Sequence, residues 1–325
     1  MRFLEIRTAR FSLLLLAVFL AVDAVWLAVS PLYLERTSTL DLLKGGLAIL
    51  ACVALLKAIE WRLKDDDSQV AGWLRYVSQG TLRLAPAVAV MLYLASSLVA
   101  LSYLAASTAF PFQDAKFVAM DEALGFDWLG WLAVINSHVY IAKTLSFAYF
   151  TQLVVVQAVL VLLAFTNQIE EMWAFVVQFA LAAVGAILIS MVIPAIGATE
   201  FHATSSALLS NLDPLAGRYH LETFLGLRSG QVNAIDFEHA KGLVTFPSFH
   251  TAMAILTTYA VRKIRWAFWP MAVLNALIIV STLHVGGHYF VDLLGGGVLM
   301  LAVIWLVRRI EVRKAPAHSI QPALA

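Results

Sequence analysis

Apolar residues along this chain fall into long runs that short polar segments separate. A helix needs about 20 apolar residues to cross a membrane, and runs of that length recur here. Hydrophobic residues make up 61% of the 325 positions and charged residues only 13%. We therefore predict an all-α integral membrane protein with about eight transmembrane helices. The predicted spans lie near residues 11–33, 40–60, 84–105, 139–165, 172–196, 248–264, 266–285 and 289–308.

The distribution of lysine and arginine predicts the orientation of these spans. With the N-terminus inside, 15 of the 22 Lys and Arg residues fall on the cytoplasmic side. The positive-inside rule then places both termini in the cytoplasm, and the first span is expected to be a retained helix. The compact loops favour a bacterial inner membrane. Seven of the eight histidines map to the outer, periplasmic or lumenal side: His138, His202, His220, His239, His250, His284 and His288.

Changes in composition divide the chain into three parts. The polar segment 62–75 predicts a cytoplasmic linker. We expect residues 1–80 to form an N-terminal two-helix membrane unit that ends in this linker. Residues 81–310 would form a six-helix catalytic core, and residues 311–325 a cytoplasmic tail. The net charge of +1 gives no indication of a nucleic-acid partner, so the lipid bilayer is the expected environment.

Two outer segments interrupt the predicted core. Segment 107–137 is acidic and aromatic, which predicts a helix at the membrane interface with Trp128 at the level of the headgroups. Segment 197–247 is far longer than an ordinary loop, so it should carry function or pack on its own. Within it, residues 221–227 predict a helix that Gly230 closes.

Two ionisable residues lie inside the first two predicted spans. Asp23 is in the middle of the first span, and Lys44 lies at a comparable depth in the second. A charged side chain in a membrane is costly unless it is neutralised. We therefore expect the two side chains to pair within the bundle, in a structural role.

Candidate chemistry is concentrated in segments 246–250 (FPSFH) and 286–292 (GGHYFVD). Each places a histidine where an apolar helix begins, and Ser248 is suited to the N-cap of the first. Unpaired N–H groups and the helix dipole make helix N-termini natural anion sites. We expect two converging helix starts to hold a phosphate at headgroup height.

The spacing of His288 and Asp292 predicts a catalytic pair. Residues four apart share one face of a helix, so the carboxylate could hold one ring nitrogen and leave the other free to attack. His250 could then act as a general acid. A single buried histidine is more often satisfied by its neighbours, but this combination favours function. A metal-binding face of His284, His288 and Asp292 is the weaker alternative, because two glycines interrupt it.

The two segments resemble the second and third motifs of the type 2 phosphatidic acid phosphatase superfamily, over about residues 81–308. Phe249 between serine and histidine, the HYFVD sequence and the spacing of 38 positions from His250 to His288 are most similar to the inositol phosphorylceramide synthase (inositolphosphotransferase) branch. The resemblance implies phosphoryl transfer in two steps without a metal or cofactor. His288 would form a phosphohistidine, Asp292 would orient it, and His250 would be the acid and later the base.

The chain departs from this family at two phosphate-binding positions. Ile193-Pro194 stands where the first motif has Arg-Pro, and Ser281-Thr282 stands where the third motif usually opens with Ser-Arg. Replacement charge must come from the outer loop, with Arg228 as the first choice and Lys241 and Arg218 next. The alternative for Arg228 is an ordinary solvated surface charge.

Ser248 and Tyr149 complete the predicted substrate-binding set, although an ordinary helix contact is the alternative for Tyr149. The sequence thus predicts a lipid phosphotransferase that moves a phosphoryl or phospho-headgroup from a phospholipid or lipid phosphate to a lipid alcohol or water. The first alternative is a lipid-phosphate or polyprenyl-pyrophosphate phosphatase. A rival of another class is a transporter or lipid-binding protein whose histidines relay protons.

Overall fold

The computed structural model describes residues 5–202 and 209–312, and helices account for most of them. Two short strands, β1 (Tyr33–Leu34) and β2 (Ala234–Ile235), pair in parallel. The predicted all-α membrane architecture is confirmed. The helices are α1 (Arg7–Val29), α2 (Arg36–Arg62), α3 (Gln69–Ala106), α4 (Asp114–Ala123), α5 (Trp128–Ser137), α6 (Val139–Phe150), α7 (Gln152–Phe165), α8 (Ile169–Val192), α9 (Ala198–Phe201), α10 (Leu221–Ser229), α11 (Phe249–Ala260), α12 (Arg265–Thr282) and α13 (Phe290–Val312).

Six helices in the described part of the chain are long and apolar enough to cross a membrane: α1, α2, α3, α8, α12 and α13. The predicted span 139–165 is the pair α6 and α7, which bends by 50° and brings the total to seven if it counts as one span. The predicted span 248–264 differs. It forms α11, whose 12 residues rise about 18 Å and fall short of the roughly 30 Å hydrocarbon layer.

The main core lies between α3, α8, α11 and α13. Leu94, Phe175, Leu256 and Met300, one from each helix, are fully buried within it. The apolar residues of α11 pack here against the longer helices, so its short length does not leave it isolated. This packing holds the N-terminal ends of α11 and α13 close together.

The N-terminal helices are joined to the rest of the protein at several places. Helix α1 packs against α3 and α8, and α2 packs against α3. The pairing of β1 with β2 links the connection after α1 to the outer loop. Helix α3 runs without a break through residues 80 and 81, so the predicted division falls inside a helix.

The predicted pair of Asp23 and Lys44 is wrong. The hydroxyl of Ser97 on α3 donates a hydrogen bond to Asp23, which is 5% exposed. Lys44 instead pairs with Asp41 at 2.7 Å, one turn earlier on α2, and its side chain is 73% exposed. Helix α1 turns Asp23 toward α3, and the nearest carboxylate to Lys44 is on its own helix.

The two long segments between the predicted spans, 107–137 and 197–247, have structure of their own. Segment 107–137 contains α4 and α5, as the composition indicates. Segment 197–247 contains α9, α10 and β2, and Gly230 closes α10 with a φ of +73°, the left-handed conformation that glycine favours. Of the predicted tail 311–325, residues 313–325 lie outside the described part of the chain.

Candidate active site

The starts of α11 and α13 lie directly against each other. Ser248 is the N-cap of α11, as predicted, and its hydroxyl accepts a hydrogen bond from the Thr251 N–H at 3.3 Å. The N–H of Ser248 donates to the carbonyl of Asp292 at 2.9 Å. A Cβ added to Gly296 would lie 2.2 Å from the carbonyl oxygen of Ser248, so glycine permits this close approach.

Asp292 holds the imidazole of His288, as the sequence predicts. Its Oδ2 lies 3.0 Å from Nδ1 of His288 and accepts the N–H of Tyr289 at 2.9 Å. Burial lowers the pKa of His288 to about 4, so the ring is neutral at pH 7. The carbonyl of Thr245 also lies beside this ring. A nucleophilic Nε2 therefore requires the proton to be on Nδ1, facing Asp292.

The expectation that His288 and Asp292 share one helical face is wrong. His288 stands in the turn between α12 and α13, and Asp292 reaches back to it from the first turn of α13. Gly287 has a φ of +70°, which a continuous helix excludes. His284, in the same turn, therefore forms no helical face with the other two. Among the described residues, no group of three or more His, Cys, Asp or Glu side chains is arranged to hold a metal.

His250 faces His288 across the site. The centroids of the two imidazoles are 6.4 Å apart and their planes cross at 64°. Tyr149, from α6, stacks on His250 with the ring centroids 4.5 Å apart. The structure therefore brings together four of the predicted site residues, His250, His288, Asp292 and Tyr149, with Ser248 capping the helix that carries His250.

Two buried carboxylates on α4, Asp114 and Asp121, bind the segment that follows His288. The sequence analysis assigns no such role to either residue. Asp121 accepts the N–H groups of Phe290 and Val291 at 2.8 Å each. Asp114 accepts the hydroxyl of Tyr289 at 2.8 Å, along with the N–H groups of Ile196 and Gly197. Their spacing of seven residues, two helical turns on an interfacial segment, was the available indication.

Asp121 also changes the predicted anion site. Its carboxylate occupies the first N–H groups of α13, so the expectation that this helix start is open to a phosphate is wrong. The start of α11 is capped by a neutral group, since the Ser248 hydroxyl, and no carboxylate, accepts the N–H of Thr251. The first N–H groups of a helix have no acceptor within the helix. The start of α11, which carries His250, is therefore the better place for an anion.

Trp128 is part of the site's support, and its side chain is buried in the protein, not exposed to lipid headgroups. It is 3% exposed, and its Nε1–H donates to the carbonyl of His288 at 3.0 Å. Its ring also stacks on His202, with centroids 5.4 Å apart. A buried indole N–H usually finds a partner, and here that partner is the turn that carries the predicted nucleophile.

Of the three basic residues predicted to bind phosphate, two have other partners and the third is exposed. The guanidinium of Arg228 donates to the carbonyl of Thr108 at 2.7 Å. Arg218 forms an ion pair with Glu200 at 2.8 Å, and the side chain of Lys241 is exposed. The assignment of these three residues to phosphate binding stays a prediction.

Two further histidines, His220 and His284, are buried near the site. The sequence analysis considers His284 only as part of a metal-binding face and assigns no role to His220. His220 precedes α10 and is 9% exposed, and its Nε2 has no partner among the described residues. Burial lowers its pKa to about 4, with a smaller lowering from the neighbouring His288 imidazole. His284 is fully buried, with neither ring nitrogen paired in the described structure.

Comparison with known proteins covers the region that contains this site. A family model described as the PAP2 superfamily matches residues 115–306, which is more than half of the chain. No curated protein and no solved structure matches the chain. The matched residues run from α4 to α13 and include both histidine segments.

Proposed function

The chain belongs to the PAP2 superfamily, and from this premise we propose that it is a membrane-embedded lipid phosphotransferase that works through a phosphohistidine on His288. The proposal rests above all on one observation. A buried His288–Asp292 pair, joined at 3.0 Å, faces a second imidazole at a centroid distance of 6.4 Å. This is the arrangement of an oriented nucleophile and a separate proton carrier.

The first step forms the covalent intermediate. Nε2 of His288 attacks the phosphorus of the lipid donor while Asp292 holds Nδ1–H. The bond from phosphorus to the leaving oxygen breaks, and His250, which the negative charge of the bound phosphate keeps protonated, gives that oxygen its proton and becomes neutral. With ring centroids 6.4 Å apart, both imidazoles are close enough to contact the same phosphoryl group.

The second step transfers the group to an acceptor. An acceptor oxygen attacks phosphorus, the bond to Nε2 of His288 breaks, and His250 takes the acceptor's proton. A lipid alcohol gives a transferase and water gives a phosphatase. We favour the transferase, because Phe249 and the HYFVD sequence are most similar to the inositolphosphotransferase branch. The phosphate charge would be met by Arg228, with Arg218 and Lys241 next, and by the start of α11.

The experiment is incubation of the pure protein with a panel of lipid phosphates and phospholipids, with and without a lipid alcohol, and identification of the products by mass. A new phospholipid that forms only with the alcohol supports the transferase. Phosphate release alone supports the phosphatase alternative. The absence of any product contradicts both and leaves the histidine-relay transporter. His288→Ala should abolish every product, whereas His239→Ala, at a 75% exposed side chain, should change none.

A further inference from the structure

A third imidazole, that of His220, is built into the wall of the same site. The segment that carries it is fixed to the turn that carries His288. The N–H of Gly217 donates to the carbonyl of Val285 at 2.8 Å. A Cβ added to Gly287 would lie 2.6 Å from the carbonyl oxygen of Gly217, so the two backbones touch.

The two ring nitrogens of His220 have different surroundings. The carbonyl of Ile196 accepts a hydrogen bond from this imidazole, while Nε2 is buried with no partner among the described residues. The bonded nitrogen is therefore Nδ1, and it must carry the proton. Because burial keeps the ring neutral at pH 7, Nε2 presents a lone pair and no hydrogen.

Because Nε2 of His220 presents only a lone pair, its partner must be a hydrogen-bond donor. The unprotonated oxygens of a phosphate are acceptors only, so they would repel a neutral Nε2 and could not satisfy it. A hydroxyl group can satisfy it. A Cβ added to Gly197 would lie 3.0 Å from the carbonyl oxygen of Gly287 and 3.9 Å from Cε1 of His220, so this imidazole lies beside the turn that carries His288. A hydroxyl bound to Nε2 must therefore be close to the phosphorus.

We propose that Nε2 of His220 binds a non-reacting hydroxyl of the substrate, on the carbon next to the one that carries the phosphate. His220 is then a specificity-determining residue for hydroxylated substrates. The inference rests on the proposed function, because it assumes that a phosphate ester occupies the site beside His288. It assigns His220 no proton transfer and no covalent step.

A matched pair of substrates tests this inference: 1-acyl-glycerol 3-phosphate and its analogue without the 2-hydroxyl, an acyl-propanediol phosphate. We expect the native protein to prefer the hydroxylated lipid by at least tenfold in kcat/KM, because a site built to bind a hydroxyl rejects an analogue that lacks it. His220→Phe should bring the ratio to about one by slowing only the hydroxylated lipid. His220→Gln, whose amide oxygen can accept the same hydrogen bond, should keep part of the preference.

The outcomes separate the inference from the proposed function. Turnover of both lipids with an unchanged ratio in His220→Phe, or with no preference in the native protein, overturns the inference alone. No turnover of either lipid by the native protein overturns the inference, whereas the proposed function fails only if the full panel of donors also gives no product. If His220→Phe does not fold, as judged by thermal unfolding in detergent, the ratio in His220→Gln decides. His239→Ala should keep the native ratio.

Discussion

Gly296→Ala is the substitution that most directly perturbs the approach of α11 to α13. The added Cβ would lie 2.2 Å from the backbone carbonyl oxygen of Ser248, whereas ordinary contact begins at 3.4 Å. A backbone carbonyl at a helix start cannot rotate away as a flexible side chain can. The two helix starts must therefore separate by about 1 Å, and overpacking of this kind typically costs about 1–3 kcal/mol of stability.

The displacement moves His250 relative to His288, because each imidazole stands at one of these helix starts. A misplacement of about 1 Å can cost on the order of 100-fold in rate. We therefore expect Gly296→Ala to lower the rate of phosphoenzyme formation by about that factor. The assay is the rate of label incorporation from a radiolabelled lipid phosphate, with thermal unfolding in detergent measured beside it.

Gly297→Ala is the matched control, one residue further along the same helix. Its added Cβ would lie 3.7 Å from the side chain of Ile255, which is ordinary van der Waals contact. We expect this variant to keep the native rate within a few-fold, and to be no less stable, since alanine favours helix more than glycine does. Equal rates for Gly296→Ala and the native protein would refute the reasoning.

Three further predictions concern the support, charge and chemistry of the site. Asp121→Asn should lower stability by about 1–3 kcal/mol in thermal unfolding, because an amide N–H₂ would face the buried N–H groups at the start of α13. The exposed Glu122→Gln should be neutral, and equal melting of the two variants would contradict this role. Arg228→Ala should lower kcat/KM at least tenfold with folding intact, and unchanged kinetics would remove Arg228 from the site. A chelator should leave activity unchanged while vanadate inhibits it, and loss of activity on chelation with recovery on adding metal would contradict metal independence.

The sequence predicts the features that depend on short stretches of chain. Ser248 caps α11 and Gly230 closes α10, since each needs only its local backbone conformation. The two histidine segments are also readable, because histidines at the starts of apolar helices stand out against a hydrophobic background. Hydropathy does not report backbone direction. A hydropathy pattern therefore predicts that the sixth span continues to residue 264, although α11 ends at Ala260, because Val261 and Ile264 in the following turn are also apolar.

The contacts that support the site could not be predicted in the same way. The hydrogen bond from Trp128 to His288 joins residues 160 positions apart, and that between Asp121 and Phe290 spans 169 positions. Composition placed both α4 and Trp128 at the membrane interface, but it could not show which face of the segment packs inward. The unpaired nitrogen of His220 follows from burial, which only the folded chain reveals.

Identification of the residue that carries the phosphoryl group in the reaction intermediate is the most direct test. The native protein would be mixed briefly with a radiolabelled lipid phosphate and quenched under alkaline conditions, because phosphohistidine is labile in acid. The labelled peptide would then be sequenced by mass spectrometry. We predict label on His288, none in His288→Ala, and reduced incorporation in Asp292→Asn. Label on another residue, or full turnover by His288→Ala, would contradict the proposed mechanism.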